Sequence, residues 1–248
     1  KCPKVNFRTA RQGITLINCD QLQLSGIMAS RESNDTNLTA SSKEPSPRRP
    51  LSGAILIGGQ SRRMGTPKAE LKIAGRRLID IAIDLLHPFV HALALVGHYA
   101  SALQLQGAGP HKGKSIVRLE DDPATTGPLA GIAALFSHQP DADWLVIPCD
   151  MPALTPQSID WLLTAARGSA TPTVGVLPGS PEPEPFPAVL PSTCAPACRA
   201  HIATGNRSLR SALAAMNARV IPIPESLAPC WTNCNTPEEF SRLTGEIS

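Results

Sequence analysis

Residues Ala54–Ala69 read A-I-L-I-G-G-Q-S-R-R-M-G-T-P-K-A. Ala54–Ile57 is an unbroken apolar run, the pattern of a short strand covered on both faces, and it stops at Gly58–Gly59. The loop that follows carries Ser61, Arg62, Arg63, Gly65 and Lys68. Two glycines at a strand end let the backbone come close to a ligand with no Cβ in the way. Three cations and a row of free N–H groups then face whatever sits beyond the strand, and a polyphosphate suits that field. The spacing is neither G-x-x-x-x-G-K-[ST] nor G-x-G-x-x-G. Gly-Gly alone is also ordinary turn punctuation, so the weight rests on the whole string.

Working outward from Leu51, short apolar runs alternate with helical periods, which argues an α/β domain with a mostly parallel sheet and crossover helices. The expected strands are Ala54–Ile57, Ala92–Val96, Ser115–Leu119, Trp144–Ile147, Thr173–Leu177, Ala188–Leu190 and Arg219–Ile223. The expected helices are Leu78–Leu86, Leu129–Ser137, Pro156–Ala166, Ala195–Ala203, Leu209–Ala215 and Pro237–Arg242. Thr155-Pro156 and Thr236-Pro237 each offer an N-cap followed by proline at the first helical position. Gly179–Pro187 carries four prolines and is predicted to be a loop between two strands.

The chain has 248 residues and a net charge of +3. That length holds one α/β domain with extra segments, and so small a charge gives no sign of a general nucleic-acid binder. No apolar run has the length of a membrane span, and no secretion signal opens the sequence; a soluble, cytoplasmic protein is expected. Residues 1–50 differ from the rest. Ala29–Pro50 is rich in Ser, Asn, Thr, Pro and charge and is expected to be disordered. Met28 is a candidate start, with Lys1–Ile27 then upstream sequence. The expected division is an extension over 1–50 and a folded domain over 51–248.

Seven cysteines are scattered along the chain, with C-x-x-x-C spacing at Cys194/Cys198 and at Cys230/Cys234. A four-thiolate zinc site is conceivable. Packing as small hydrophobes is the stronger reading, since the first pair is one turn apart on a predicted helix and the second brackets a predicted strand. His87, His91, His98, His111, His138 and His201 form no ligand-spaced pair on a helix face.

In an open α/β sheet ligands gather beyond the carboxyl ends of the strands, so the residues just after each apolar run carry the chemistry. After Leu119 come Glu120, Asp121 and Asp122, and then Gly127-Pro128-Leu129-Ala130-Gly131 opens a helix. After Ile147 come Pro148, Cys149, Asp150, Met151 and Pro152. Carboxylates and cations on one rim are what a metal–triphosphate complex needs: cations hold phosphate oxygens, and one or two carboxylates hold Mg²⁺. Each piece also has a plainer reading, because an Asp after a strand commonly caps a helix or starts a turn.

The loop string resembles L-x-G-G-x-S-x-R-M-G-x-x-K-A, the signature of the molybdenum cofactor guanylyltransferases and their nucleotidyltransferase relatives. Leu56, Gly58, Gly59, Ser61, Arg63, Met64, Gly65, Lys68 and Ala69 fall in place. P-C-D-M-P at Pro148–Pro152 resembles the family's P-C-D-x-P metal motif, and D-x(5)-G-P-L-A-G from Asp121 resembles its nucleotide-contacting segment. Gly205-Asn206-Arg207-Ser208-Leu209 resembles G-x-R-S-L, and Asn233-Cys234-Asn235-Thr236-Pro237 resembles N-x-N-T-P. The likeness runs from about Leu51 to the C-terminus.

This resemblance implies a three-layer α/β/α, Rossmann-like nucleotidyltransferase fold. The implied reaction moves GMP from Mg·GTP to the terminal phosphate of molybdopterin and releases pyrophosphate. Asp150 is then the Mg²⁺ ligand, and Lys68, Arg63 and Asp150 form the catalytic set. Leu56, Ile57, Gly58, Gly59, Ser61, Lys68, Asp121 and Asp150 meet the nucleotide, with Glu120 or Asp122 as alternatives to Asp121. Arg207, Asn233 and Asn235 meet the acceptor. Molybdoenzymes or their chaperones are candidate recipients of the product. Two rivals stay open: cytidylyl or other nucleotidyl transfer to a phosphorylated small molecule, and a non-catalytic GTP- or cofactor-binding adaptor. Cytidylyl relatives usually carry L-x-A-G and D-x-D-T-P, whereas this chain has Gly58-Gly59 and N-x-N-T-P.

Overall fold

A computed structural model describes residues 50–57, 67–97 and 114–234, all within the unit Pro45–Ser248. In chain order the elements are β1 (Leu51–Leu56), a 3₁₀ turn (Lys68–Glu70), the hairpin β2 (Lys72–Ile73) and β3 (Arg76–Arg77), and α1 (Leu78–Leu86). Next come β4 (Leu93–Val96), β5 (Ile116–Leu119), α2 (Pro128–His138), β6 (Asp143–Pro148) and α3 (Pro156–Ala165). The chain continues through β7 (Thr173–Val176), β8 (Pro183–Leu190), α4 (Ala195–Ala203), α5 (Leu209–Ala215) and β9 (Arg219–Pro222). Helices α1, α4 and α5 have the limits predicted from the sequence. The predicted helix Pro237–Arg242 and nearly all of the 1–50 extension lie outside the described residues.

One seven-stranded sheet runs in the order β5-β4-β1-β6-β8-β7-β9. Every strand but β8 points the same way; β8 is antiparallel to both its neighbours. Such a sheet is covered on both faces, so its central strands carry runs rather than alternation. Ala54, Ile55, Leu95, Leu145, Val146 and Ile147 are all buried accordingly.

Alternation along β1 separates the two helical layers. A Cβ on Gly53 would lie 3.2 Å from Leu86 of α1, whereas a Cβ on Gly131 of α2 would lie 3.0 Å from Leu56. Residues 53 and 56 point to opposite faces, so α1 and α2 flank the sheet on opposite sides. Helices α4 and α5 pack with α2. Register pairs Ala54 with Val146, Val146 with Ala188 and Ala188 with Val174. Gly175 therefore points to the α1 face, where it meets Trp231, and Trp231 sits edge-on against Trp161 of α3. Helix α3 thus shares the α1 layer, and the architecture is α/β/α.

Two expectations fail. The loop predicted over Gly179–Pro187 is half strand, because β8 begins at Pro183. Only Ala188–Leu190 pair with β6. On the β7 side, the Val174–Ala188 pair is followed by Gly175–Glu184, so Pro185, Phe186 and Pro187 bulge out of the ladder, where no proline N–H is needed. The Phe186–Pro187 peptide is cis. Second, Cys230 and Cys234 do not bracket a strand. A 3₁₀ turn covers Ala228–Cys230, with irregular chain after it; Pro229 lacks the N–H a ladder needs and suits a first helical turn. Cys149, Cys194, Cys198 and Cys234 are buried and not joined in disulfides. No helix of the described residues is long and apolar enough to cross a membrane.

Candidate active site

Four strand ends lie level. Leu56 pairs with Val96 and with Pro148, and Val96 pairs with Leu119. One residue further on, the Ile57 N–H donates to the Val96 carbonyl (2.8 Å), Gly97 to Leu119 (3.0 Å) and Cys149 to Leu56 (3.0 Å). Ile57, Gly97 and Cys149, the residues that follow β1, β4 and β6, therefore lie along a single rim with the end of β5, and Leu56 and Ile57 are buried there. Gly97, buried with φ 134°, is a rim residue that the sequence reading passed over. The signal was present, since Gly97 ends the apolar run A-L-A-L-V just as Gly58 ends A-I-L-I.

Across this rim the Lys68 Nζ donates to Asp150 Oδ2 at 2.8 Å, with 20% and 19% of the two side chains exposed. Each partner is held by its own segment. Ala69, beside Lys68, is buried at 1% exposure, and the Glu70 N–H closes the 3₁₀ turn on the Pro67 carbonyl at 2.9 Å. In P-C-D-M-P the side chains alternate: Cys149 and Met151 are buried and Asp150 between them faces the rim. Burial, with the neighbouring Asp150 charge adding to it, pushes the Cys149 thiol up to about 12, so Cys149 is a packing residue rather than a nucleophile.

The acidic triplet separates by position. Glu120 is exposed and Asp121 half-buried. Asp122 is a turn former: its Oδ1 accepts from the Ala124 N–H at 2.8 Å, and its own N–H donates to the Ala130 carbonyl at 3.2 Å. Asp121 faces the start of α2, its Oδ1 lying 3.6 Å from where a Cβ on Gly131 would stand. The G-P-L-A-G segment has a structural meaning at each step. Gly127 supplies φ 72° before the helix, Pro128 takes a first-turn position, and Leu129 and Ala130 are fully buried. Gly131 lets α2 close onto Leu56 and Val96 beside Asp121.

From the far end of the chain, the Cys234 N–H donates to the Asp150 carbonyl at 2.8 Å. Cys234 is buried and Asn233 exposed, which sets the Asn233–Cys234 peptide against the Asp150 backbone. Arg207 is exposed between α4 and α5. The hydrogen bonds on either side of it build the start of α5: Asn206 Oδ1 accepts from the Ser208 N–H (2.9 Å), and Ser208 Oγ from the Ser211 N–H (3.2 Å). Those contacts tie the segment to its helix and not to the Lys68–Asp150 pair. Gly58, Gly59, Ser61, Arg63 and Asn235 lie outside the described residues.

Among the described residues no three His, Cys, Asp or Glu side chains gather into a metal cage. A divalent ion shared with a polyphosphate asks for less: one or two carboxylates, with phosphate and water as the other ligands. Asp150, a half-buried carboxylate on the rim with an ammonium at 2.8 Å, fits that requirement.

Known proteins resemble this chain over the same region. The family of MobA-like NTP transferase domains matches residues 53–220. The molybdenum cofactor guanylyltransferase of Serratia proteamaculans is 31% identical over 198 residues, 79% of this chain and 95% of that protein. The corresponding protein of Shewanella amazonensis is 28% identical over 80% of this chain and 97% of its own length. Among solved structures, molybdopterin-guanine dinucleotide biosynthesis protein A of Archaeoglobus fulgidus superposes with a TM-score of 0.63 at 23% identity, covering 79% of this chain and 97% of that one. The 2-C-methyl-D-erythritol 4-phosphate cytidylyltransferase of Thermus thermophilus shares the fold, with a TM-score of 0.54 at 20% identity over 78% of this chain and 96% of its own. The chain belongs to the MobA-like NTP transferase family and is a nucleotidyltransferase.

Proposed function

We propose that this nucleotidyltransferase moves GMP from Mg·GTP to the terminal phosphate of molybdopterin, giving the guanine dinucleotide form of the cofactor and pyrophosphate. The observation that carries the reading is the Lys68–Asp150 pair on a level rim of strand ends, in a chain 31% identical to a guanylyltransferase across 95% of that enzyme. An oxygen of the molybdopterin phosphate forms the new bond to the α-phosphorus. The bond from that phosphorus to the α–β bridging oxygen breaks, and pyrophosphate departs with the electron pair. Little covalent work falls to the protein in such a transfer; positioning and charge neutralisation dominate.

Asp150 would hold the magnesium ion, which would supply charge neutralisation at the triphosphate. Lys68, already at that carboxylate, neutralises phosphate oxygens, and Arg63 in the same loop does likewise. Leu56 and Ile57 form the floor at the end of β1, while Gly58, Gly59 and Ser61 admit the nucleotide. Asp121 approaches it from the α2 side. Asn233, carried to the Asp150 backbone by its neighbour, faces the acceptor together with Asn235 and Arg207. Residues 51–248 carry this activity, and the setting is the cytoplasm, with molybdoenzymes or their chaperones receiving the product.

The test is pyrophosphate release from each of the four nucleoside triphosphates with Mg²⁺, with and without molybdopterin. Release from GTP that depends on molybdopterin is the expected result. Release from CTP instead reassigns the base, and GTP binding without release makes the protein an adaptor.

A further inference from the structure

The chain after β9 takes a course that the reaction does not explain. β9 is the outermost strand on its side of the sheet, with β7 and β8 between it and β6. From there the chain returns across the α3 layer to the end of β6, making four attachments on the way. Ile223 fills the space over Gly175, where a Cβ would lie 2.7 Å from its side chain. The Trp231 ring sits edge-on to Trp161 of α3, with centroids 5.6 Å apart and planes at 85°. Cys230 Sγ lies 3.8 Å from Thr155 Oγ1, at the residue that caps α3. The last attachment is the Cys234 N–H on the Asp150 carbonyl at 2.8 Å.

Two of these attachments, Cys230 at Thr155 and Cys234 at Asp150, bracket the loop from Asp150 to Thr155. Trp231, 5% exposed, is the large apolar anchor, and Cys234 is the hydrogen-bonding end three residues on. The Trp231 Nε1 has no hydrogen-bond partner among the described residues, so packing and not a polar bond holds the indole.

We infer that Ala228–Cys234 is a strap that fixes the Asp150 loop, with Trp231 as its anchor and the Cys234 N–H as its contact. Trp231 is thus a positioning residue for the proposed metal ligand, acting through the main chain. The inference rests on the proposed function for its catalytic consequence, while the strap itself is a mechanical statement about the loop. Groups that orient a metal ligand without touching the metal typically change affinity or activity by about 10–100-fold when lost.

The experiment uses the full chain and four variants: Trp231→Ala, Trp231→Phe, Cys234→Pro and Cys234→Val. Cys234→Pro removes the N–H, whereas Cys234→Val keeps it. Expected for Trp231→Ala and Cys234→Pro are a kcat about tenfold or more below wild type, a raised Mg²⁺ requirement and an unchanged KM for GTP. Trp231→Phe and Cys234→Val stay within about threefold of wild type, because packing and the N–H are retained. Amide exchange measured without substrate is faster over residues 150–155 in the first two variants and unchanged over β1 and β4. Equal kcat and equal exchange in all variants overturn the strap. So does a Cys234→Val loss as deep as that of Cys234→Pro, or a loss that heightened Mg²⁺ leaves unmoved. If wild type transfers no GMP, the proposed function falls, and the exchange pattern still decides the strap.

Discussion

Asp150→Asn keeps the shape of the side chain and removes its charge. Asp150 Oδ2 lies 2.8 Å from Lys68 Nζ, and about one-fifth of each side chain is exposed. Exposed pairs contribute about 0.2–1 kcal/mol, and breaking a fully buried pair costs about 3–5 kcal/mol. This pair lies between those limits, and asparagine can still accept from Lys68, so the expected loss is about 1–2 kcal/mol. For a domain of this size that is a Tm lower by about 2–8 °C. The effect on chemistry is larger. Removing one preorganised charge-stabilising group lowers kcat by about 10²–10³-fold, or about 3–4 kcal/mol of barrier.

The double variant Lys68→Met/Asp150→Asn separates these effects. Methionine removes the ammonium that the first change deprived of its Asp150 carboxylate. The double variant therefore recovers stability relative to the sum of the single losses, with a coupling of about 1 kcal/mol. It recovers no activity. Thermal melts and Mg²⁺-dependent pyrophosphate release from GTP, run on all four proteins, read both quantities. An Asp150→Asn kcat within threefold of wild type removes Asp150 from the mechanism. Stability losses that simply add mean that the two side chains do not interact in solution.

Asp121→Asn is expected to slow GTP turnover far more than Asp122→Ala does. Asp122→Ala loses the acceptor for the Ala124 N–H and costs about 1 kcal/mol of stability with turnover kept; urea melts and kinetics on the pair of variants check this, and the reverse pattern moves the nucleotide contact to Asp122. Thr155→Ala removes one half of the reciprocal cap with Ser158 at the start of α3 and lowers stability by about 0.5–2 kcal/mol in a urea titration, with Thr155→Ser near wild type. The Cys149 thiol, pushed up to about 12 from 9.0, and those of Cys194 and Cys198, pushed up to about 11, stay protonated in the fold after the unfolded chain has lost its protons. Their contribution is full below pH 9 and declines as pH rises toward 12. The urea midpoint falls between neutral and strongly alkaline pH, and Cys149→Ala flattens that fall.

Much of the fold was legible in one dimension, because the forces involved act over a few residues. The runs at Ala54–Ile57 and Trp144–Ile147 announce strands covered on both faces. Thr155-Pro156 announces a helix start by the chemistry of its own hydroxyl and ring. The limits of α1, α4 and α5 agree with those read from the sequence. The proposal of a phosphate-binding loop also comes from the string Gly58–Lys68, through the glycines and cations it carries in sequence.

What only the tertiary structure decided depends on register and on distant chain. Prolines 183–187 enter β8 because its one-sided pairing and bulge spare their nitrogens, a fact about β6 and β7 rather than about proline. Lys68 and Asp150 are 82 residues apart, and they meet because β1 and β6 pair so that Leu56 and Pro148 end level. Asp121 and Asp122 are neighbours of identical chemistry, and the fold turns Asp121 toward Gly131 of α2 while Asp122 accepts from the Ala124 N–H. The strap from β9 to Asp150 has no local signature at all, since Trp231 and Cys234 acquire their meaning from Trp161 and from a carbonyl on the opposite side of the sheet's bulge strand.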